Sequence, residues 1–337
     1  MNKKIILSAL ALILTSSVSA QKNNPIWEYA EEKPHEITER GRLIPQSESE
    51  VHVRIQPFCT NMNIPFSKDI YTLSIYFTDV HAKTLSRVLS EYEAYQSEFS
   101  EEFRHAGVPE YLSLACVAST MMNNEVKENG RAGIWQLDSL QAVSHGLTCN
   151  DTIDERLLKV KAAKAFANEL RSLRDSTGSW AYAAISLRYG KRTLQLAKNQ
   201  TKSPEKFWDV YKYLPKEIQE YTMSLMGSIY SYYFHKEHKI ELKPQKKIKT
   251  KQILVKDTLI FSEYQHSNRV PLKILKELNP QYLTETIYGT EDSPLPLEIP
   301  KNKIKDTKEN VLDTGNGQLS GGSSVAGEQA GTDRLRN

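Results

Sequence analysis

Apolar residues recur at helical spacing along the middle third of the chain. A long stripe starts near Asp79, with apolar side chains three and four positions apart, and predicts one amphipathic helix that Thr78 or Asp79 caps and Gly107 ends. The members of this stripe are Leu85, Val88, Leu89, Tyr92, Tyr95, Phe99 and Phe103. Pro109 suits the first turn of a second helix, over residues 110–121. That segment is apolar nearly all round, so we expect a central, buried helix.

Three more amphipathic segments follow, over residues 154–174, 180–198 and 217–235. Residues 123–131 are polar and typical of turns. No strand-rich pattern interrupts these segments. The sequence therefore predicts a mainly α protein with an all-helical central domain over residues 62–240.

The N-terminus has the pattern of a cleavable export signal. Two lysines precede an apolar run over residues 5–14, and a small-residue stretch ends at Ala20. Cleavage after Ala20 would remove residues 1–20, and because no Cys stands at the cut we expect no lipid anchor. No other stretch is long and apolar enough for a membrane helix, so the mature chain is expected to be soluble. Residues 21–61 are polar and poorly periodic, which predicts a loosely ordered lead-in.

A different organisation follows the helical domain. Residues 241–251 are basic, which is typical of a solvated connector. Residues 252–300 predict a small α+β unit. Its elements are a short strand marked by Ile253, Val255 and Leu259, a short helix over 270–278, and an extended edge segment over 294–300. Residues 301–337 are polar and rich in Gly and Ser, which predicts a disordered tail.

Charge and cysteine content exclude some classes of protein. Lys and Arg total 44 against 41 for Asp and Glu, which argues against a nucleic-acid binder that works by bulk charge. Of the three cysteines, Cys116 lies in an apolar run and is expected in the core. Cys59 and Cys149 are compatible with a disulfide, which the sequence leaves open. Their spacing matches no zinc pattern.

Four motifs occur in an order typical of one family. They are residues 107–112 (Gly-Val-Pro-Glu-Tyr-Leu), 132–137 (Ala-Gly-Ile-Trp-Gln-Leu), 146–156 with Gly-Leu, Asn-Asp and Asp-Glu-Arg, and 207–221 with Phe-Trp, Tyr-Leu-Pro-Lys-Glu and Tyr221. Over residues 62–235 the chain resembles the membrane-bound lytic murein transglycosylase D group, within the soluble lytic transglycosylase and goose-type lysozyme superfamily. The ordered set is far more specific than Gly-Ile-Trp-Gln alone.

The resemblance implies a lysozyme-like helical domain with a groove for glycan strands of peptidoglycan. Enzymes of this family cleave between N-acetylmuramic acid and N-acetylglucosamine and leave a 1,6-anhydro sugar end. One Glu acts first as acid on the leaving oxygen and then as base, and no metal or cofactor is needed. Such an acid needs a raised pKa, which burial of the carboxyl supplies.

This sequence departs from the family at the acid itself. The family's Glu stands twelve residues after the Gly of the opening motif, and counting from Gly107 reaches Ser119. A serine hydroxyl is far too weak an acid to protonate a leaving oxygen. Loss of a general acid typically lowers the rate by about 10²–10⁴-fold.

A second site motif is altered as well. The family's Ala-Tyr-Asn-Ala-Gly stretch aligns with residues 186–190, so Leu187 replaces the Tyr and Arg188 replaces the Asn. The loop between Ser119 and Gly133 is also one residue short. Motifs that serve packing are therefore kept while two that serve chemistry are degraded.

Several other residues are candidates for the site. Glu125 and Glu128 are the acids of the following loop, and either could replace the missing carboxyl or simply be solvated. Four residues are candidate glycan contacts, each with a structural alternative. They are Trp135 (or a core residue), Gln136, Arg188 and Tyr189 (or a cover for the helix end). We expect Ser119 to bond its own helix backbone, and Tyr213 and Tyr221 to be structural.

The small unit carries a weaker resemblance. Residues 255–259 (Val-Lys-Asp-Thr-Leu), 270–272, 275–280 and 297–300 look like a degenerate LysM module. LysM modules bind glycans that contain N-acetylglucosamine. The Gly that usually precedes Asp-Thr-Leu is replaced by Lys256, so glycan binding by this unit stays open.

Three hypotheses follow for the function. In the first, the chain is a catalytically impaired or inactive relative that binds peptidoglycan in the periplasm, with envelope proteins as further partners. In the second, it is an active lytic transglycosylase that uses Glu125 or Glu128. In the third, it is a helical scaffold for protein partners that binds no glycan.

Overall fold

The structure is a computed structural model that describes residues 46–243 and 245–302. The predicted export signal, residues 21–45 of the predicted lead-in and residues 303–337 of the predicted tail lie outside the described residues. Within the described residues the protein is mainly helical, which confirms the fold class at that level. The helices before residue 243 are α1 (Glu48–Met62), α2 (Lys68–Ile75), α3 (Ala82–Glu93), α4 (Gln96–His105), α5 (Ala115–Thr120), α6 (Ser139–Ser144), α7 (Lys159–Thr177), α8 (Trp180–Tyr189), α9 (Lys191–Gln200), α10 (Phe207–Tyr211) and α11 (Lys216–Tyr233).

Helix α1 lies inside the segment that was predicted to be loosely ordered. A capping box begins it: the Ser47 hydroxyl accepts from the Glu50 backbone N–H, and the Glu50 carboxylate accepts from the Ser47 N–H. Its buried face consists of Val51, Ile55, Cys59 and Met62. The prediction was therefore wrong for this part of the lead-in. The overall hydrophobicity of this helix is low, but one apolar residue in each turn is enough to form a buried face.

The helix predicted from Asp79 to Gly107 is two helices. The chain leaves the α-helical path at Ala94 and Tyr95, between α3 and α4. The predicted cap at Thr78 or Asp79 is also wrong, because both residues lie in a π-helical turn, Tyr76–Val80, and α3 begins after His81. The predicted end is confirmed, since α4 stops at His105 and Gly107 takes the left-handed conformation (φ 67°).

The segment after Pro109 is central and buried, as predicted. It starts as a 3₁₀ turn, Glu110–Leu114, and continues as α5. Leu114, Cys116 and Val117 have no exposed surface. Helix α5 packs against α11, which is buried along most of its length.

A small antiparallel sheet follows α5, in the region that was predicted to be all α. Strands β1 (Lys127–Glu128), β2 (Arg131–Ala132) and β3 (Leu137–Asp138) pair in chain order. Each strand has two residues, which is too short to produce a detectable alternation of apolar and polar positions.

The predicted helices of the second half are present, with one break. Helix α7 starts later than predicted, after a 3₁₀ turn, Glu155–Leu157. The helix predicted over residues 180–198 is divided into α8 and α9 at Gly190, whose φ is 84°. The end of α8 contacts α6, because the Gln141 side chain donates to the Leu187 carbonyl at 3.1 Å.

Residues 250–300 contain two strands, then two helices, then two more strands. They are β4 (Thr250–Val255), β5 (Thr258–Ile260), α12 (Phe261–Asn268), α13 (Leu272–Leu278), β6 (Thr286–Tyr288) and β7 (Leu295–Pro300). Strand β4 pairs with β7 and β5 with β6, both antiparallel. Helix α12 was not predicted. The unit has its own apolar core, made by Val255, Phe261, Leu275, Ile287, Leu297 and Ile299.

Backbone hydrogen bonds join this unit to the helical part. The Asp154 N–H donates to the Gln281 carbonyl at 2.8 Å, and the Leu283 N–H donates to the Thr152 carbonyl at 2.9 Å. The basic segment between the two is exposed at most of its described residues. Lys247 forms an ion pair with Glu98, and its ammonium lies 3.8 Å from the centre of the Tyr95 ring.

All three cysteines are free, so the Cys59–Cys149 disulfide is not formed in this structure. Cys116 is fully buried, which confirms its assignment to the core. Within residues 46–243 and 245–302, no helix has the length and apolar character that crossing a membrane requires.

Candidate functional site

The site is built around Ser119, near the C-terminal end of α5. Ser119 is half-buried and faces Tyr221 of α11. Burial raises the pKa of the Tyr221 hydroxyl to about 12, while the Arg188 charge and a hydrogen bond with Ser119 work against that rise. Ser119 was expected to bond its own helix, but that role falls to Thr120, whose hydroxyl donates to the Cys116 carbonyl at 3.0 Å.

Two arginines converge on Gln136 beside this serine. Arg131 comes from β2, and its Nη1 donates to the Gln136 carbonyl oxygen at 2.8 Å. Arg188 comes from the end of α8, and its Nη1 donates to the Gln136 Oε1 at 3.1 Å. Gln136 thus joins two elements that are distant along the chain.

Gln136 itself lies beneath the site. It has no exposed surface and a left-handed backbone, with φ 52°. Its side-chain amide nitrogen donates to the carbonyls of Val126 and Gly133, at 2.9 and 2.8 Å. Because its donors and acceptors are used within the protein, Gln136 positions Arg131 and Arg188, and the predicted direct contact with glycan does not fit this location.

Trp135 is a core residue, which was the alternative interpretation of this position. Only 1% of it is exposed, and its indole nitrogen donates to the Lys159 carbonyl at 2.8 Å. Its ring centre lies 5.0 Å from those of Phe99 and Phe166. A glycan ring cannot stack on an aromatic side chain that is enclosed in this way, so Trp135 is not part of a groove surface.

The electrostatics of the site are set by the two guanidinium groups. The Arg131 and Arg188 side chains are only 15% and 14% exposed. Burial lowers the pKa of Arg131, and the charge of Arg188 lowers it further, while Asp138 opposes both effects. Two like charges in a place of low solvent access repel each other, but Asp138 Oδ2 lies 3.6 Å from Arg131 Nη2 and Glu128 Oε2 lies 3.8 Å from Arg188 Nη2, so the four charges of the site balance.

Tyr189 closes one side of the site. Its hydroxyl donates to the Glu217 carbonyl at 3.1 Å, and its ring centre is 6.0 Å from that of Tyr221, edge to face. The Arg188 guanidinium carbon lies 5.9 Å from the centre of the Tyr189 ring. Burial raises the pKa of Tyr189. Arg188 and Tyr189 therefore both lie beside Tyr221, and their contact with glycan stays a prediction.

The two loop acids differ in position. Glu128 Oε2 lies 3.8 Å from Arg188 Nη2, and the Glu128 side chain is 33% exposed. Glu125 is exposed, and its backbone N–H donates to Asn123 Oδ1 at 3.0 Å. The structure brings Glu128 to the edge of the site and leaves Glu125 in solvent.

One buried carboxyl is close in sequence but lies on another face of α11. Burial raises the pKa of Glu220 to about 7, and Lys216, with its ammonium 3.7 Å away, opposes the rise. Adjacent residues of a helix point about 100° apart. Glu220 faces Tyr211 of α10, whose pKa is raised by burial and also by the Glu220 charge. Glu220 is thus outside the cluster around Tyr221.

Sequence reasoning missed Arg131 and Tyr221 as site residues. Arg131 immediately precedes the motif over residues 132–137, which was a signal of its position. Tyr221 was expected to be structural and is indeed buried, but it also contacts Ser119. A cavity of about 780 Å³ lies elsewhere, around Tyr232 and Tyr233, roughly 16 Å further along α11 at 1.5 Å per residue.

Gly133 fixes the loop that carries Gln136, and replacing it with alanine is expected to destabilise the domain. Gly133 has φ 71°, and an added Cβ would overlap the backbone carbonyl of Arg156. Gly130 is a matched control, with φ 76° and no atom within 4 Å of the added Cβ. Both substitutions carry the left-handed penalty of roughly 1–2 kcal/mol.

Gly133→Ala should lower the free energy of unfolding by about 1–3 kcal/mol more than Gly130→Ala, because backbone must move to relieve the overlap. Thermal unfolding of both variants measures the difference. Equal melting temperatures would show that the added Cβ at position 133 does not overlap the Arg156 carbonyl, contrary to the structure.

Comparison with known proteins adds no assignment: no family model matches this chain, and no curated protein matches it.

Proposed function

We propose that this protein binds glycan strands of peptidoglycan around Ser119 and does not cleave them. The observation that carries the proposal is the composition of the site. A serine, a buried phenol and two arginines stand together where the related enzymes need a protonated carboxyl. The motifs over residues 107–112 and 132–137, which carry the resemblance, are those that build the surrounding core.

Cleavage would need a proton donor that this site lacks. Ser119 and Tyr221 are both too weak as acids, and burial makes Tyr221 weaker still by raising its pKa to about 12. Asp138 and Glu128 are the acids beside the two arginines, but each is about one-third exposed and faces a guanidinium. A displaced general acid would instead be a buried carboxyl that faces the substrate.

Binding needs less than cleavage, and the site retains what binding requires. Tyr189 offers a half-buried ring for a sugar face, and Arg131 and Arg188 offer N–H donors at the same place. The unit over residues 250–300 supports the same substrate class. Its order of an outer strand, two helices and a second outer strand paired with the first fits the LysM-like interpretation. We place this activity in the periplasm, on the basis of the predicted export signal and the family resemblance.

The proposal is tested with purified sacculi and the chain that starts at Gln21. We expect the protein to pellet with the sacculi and to release no 1,6-anhydromuramyl products detectable by mass spectrometry. Tyr189→Ala should weaken pelleting by roughly 2- to 10-fold, the value of one aromatic contact. Tyr213→Ala is the control, because Tyr213 is 48% exposed and no contact of it with the site is seen.

Two results would overturn the proposal. Release of products that stops with Glu128→Gln would show an active enzyme with a displaced acid. Absence of pelleting, with the protein folded, would favour the scaffold that binds no glycan.

A further inference from the structure

Residues 152–154 and residues 281–283 pair as a short antiparallel ladder, which joins the helical part to the unit over residues 250–300. Two main-chain hydrogen bonds, of 2.8 and 2.9 Å, hold the ladder on either side of the bridge between Ile153 and Tyr282. The first strand of this ladder belongs to the third motif of the family resemblance, for which the glycan site gives no direct use. Its position at the contact between the two parts suggests a role in joining them.

Both strands of the ladder are held within their own part of the protein. On the helical side, the Asn150 side-chain oxygen accepts from the main-chain N–H groups of Thr152 and Ile153, at 2.9 and 2.8 Å. On the other side, the Tyr282 hydroxyl donates to the Pro296 carbonyl at 2.6 Å. Because each strand has its shape from local hydrogen bonds, the ladder can transmit the position of one part to the other.

Asp154 connects this ladder to Arg156. Its main-chain N–H donates to the Gln281 carbonyl within the ladder, and its carboxylate accepts from Arg156 Nε and Nη2, both at 2.8 Å. The pair is almost enclosed, since the Asp154 side chain is 5% exposed and that of Arg156 is 12% exposed. A two-pronged pair of this kind fixes the orientation of the guanidinium as well as its position.

Arg156 in turn holds the small sheet beside the site. Its remaining nitrogen, Nη1, donates to the Gly130 carbonyl at 2.7 Å and to the Leu137 carbonyl at 3.2 Å. The first lies in the turn between β1 and β2, and the second begins β3. The Arg156 carbonyl also lies against Gly133, where an added Cβ would come within 2.4 Å of it. Arg156 therefore contacts both ends and the middle of the segment that contains Gln136.

We propose that the unit over residues 250–300 sets the geometry of the glycan site through Asp154 and Arg156, which act as positioning residues. The last link is Gln136, whose Oε1 accepts from Arg188 Nη1 at 3.1 Å. This inference rests on the proposed function and adds its regulation. Loosening of the ladder displaces the small sheet and weakens binding at the site, although no residue of the ladder contacts the glycan.

The first test measures amide hydrogen exchange in the chain that starts at Gln21, without any ligand. Leu283→Pro removes one N–H donor from the ladder, and the preceding Tyr282 lies in an antiparallel bridge, whose extended backbone suits the residue before a proline. Leu283→Ala is the matched control, because it shortens the same side chain, which is 40% exposed, and keeps the N–H. In Leu283→Pro, exchange over residues 127–138 should be roughly 2- to 10-fold faster, the value of one main-chain hydrogen bond. Leu283→Ala should leave it unchanged.

A second variant tests the connection without changing the ladder. Arg156→Gln should also speed exchange over residues 127–138, while residues 279–283 keep their protection. Arg87→Gln, at an exposed arginine of α3, is the control and should change neither segment. Circular dichroism of each variant establishes that it is folded. If residues 127–138 exchange at the native rate in folded Leu283→Pro or in folded Arg156→Gln, the unit does not set the geometry of the sheet and the inference is wrong.

The second test is a double-mutant cycle of Arg156→Gln with Tyr189→Ala, measured by pelleting with sacculi. If Arg156 positions the site, the loss of affinity in the double variant should be smaller than the product of the two single losses by about twofold or more. In the control cycle of Arg87→Gln with Tyr189→Ala, the losses should multiply. Losses that also multiply with Arg156→Gln would overturn the inference and leave glycan binding intact. If the native protein does not pellet, the proposed function fails, and hydrogen exchange still decides whether the unit holds the sheet.

Discussion

Trp135→Ala is expected to lower the free energy of unfolding by about 3–5 kcal/mol, the usual result of removing a large aromatic side chain from a core. The indole is 1% exposed and packs against Phe99, Phe103 and Phe166. Its loss also removes the hydrogen bond from the indole nitrogen to the Lys159 carbonyl, which adds to the loss of stability. For a domain of this size the melting temperature should fall by roughly 6–20 °C.

Two controls separate this core role from a role in glycan binding. Trp135→Phe keeps most of the aromatic contacts and should lose clearly less stability than the alanine variant. Tyr213→Ala removes an aromatic residue that is 48% exposed and should change the stability by no more than about 0.5 kcal/mol. If Trp135→Ala melts like the native protein and only its pelleting with sacculi is lost, the indole belongs to a binding surface and the core assignment is wrong.

Trp135 also shows what the sequence could and could not predict. The motif Gly-Ile-Trp-Gln indicated that the residue matters, but the same letters fit a groove residue and a core residue equally well. The decision depends on Phe99 and Phe166, which come from α4 and α7 and meet the indole only in the folded chain. Periodicity did predict that Phe99 is buried, since it lies in the stripe over residues 85–103.

The helix boundaries were less predictable than the buried faces. The apolar stripe continues through Ala94 and Tyr95, although the backbone bends there between α3 and α4. Helix α1 was missed because its stripe is one residue wide. A helix needs apolar residues only on the side that contacts the core. An interruption between two helices, or a helix with one apolar residue per turn, is therefore hard to detect in the sequence.

The candidate site was predicted in part. Ser119, Arg188 and Tyr189, which the resemblance singled out, lie together around Tyr221, and their contact with glycan stays a prediction. Arg131 was missed, because the sequence does not show that Gln136 has a left-handed backbone conformation or that its carbonyl accepts a hydrogen bond from Arg131. The convergence of the two arginines is a property of that turn, because both bind Gln136 from elements that are distant along the chain.

A glutamate at position 119 is expected to leave the protein without lytic activity for as long as Arg188 is present. The charges of Arg131 and Arg188 both lower the pKa of Tyr221, the neighbour of Ser119. They would therefore also lower the pKa of a carboxyl introduced at position 119. A nearby positive charge lowers the pKa of a carboxyl by about 1–3 units. The new acid would then be ionised at neutral pH and could not protonate the leaving oxygen.

The double variant Ser119→Glu/Arg188→Asn removes one of these charges and introduces the Asn that the resemblance to lytic transglycosylases implies at this position. In this variant the protonated fraction of the introduced carboxyl at neutral pH should rise by about tenfold for each pKa unit recovered. Release of 1,6-anhydromuramyl products from sacculi should therefore exceed that of Ser119→Glu by roughly 10- to 10³-fold. Ser119→Gln/Arg188→Asn is the matched control, because it has the same shape without an acid and should release none. If Ser119→Glu alone works as well as the double variant, the arginine is not what suppresses the chemistry, and the missing carboxyl is the whole difference between this site and an active one.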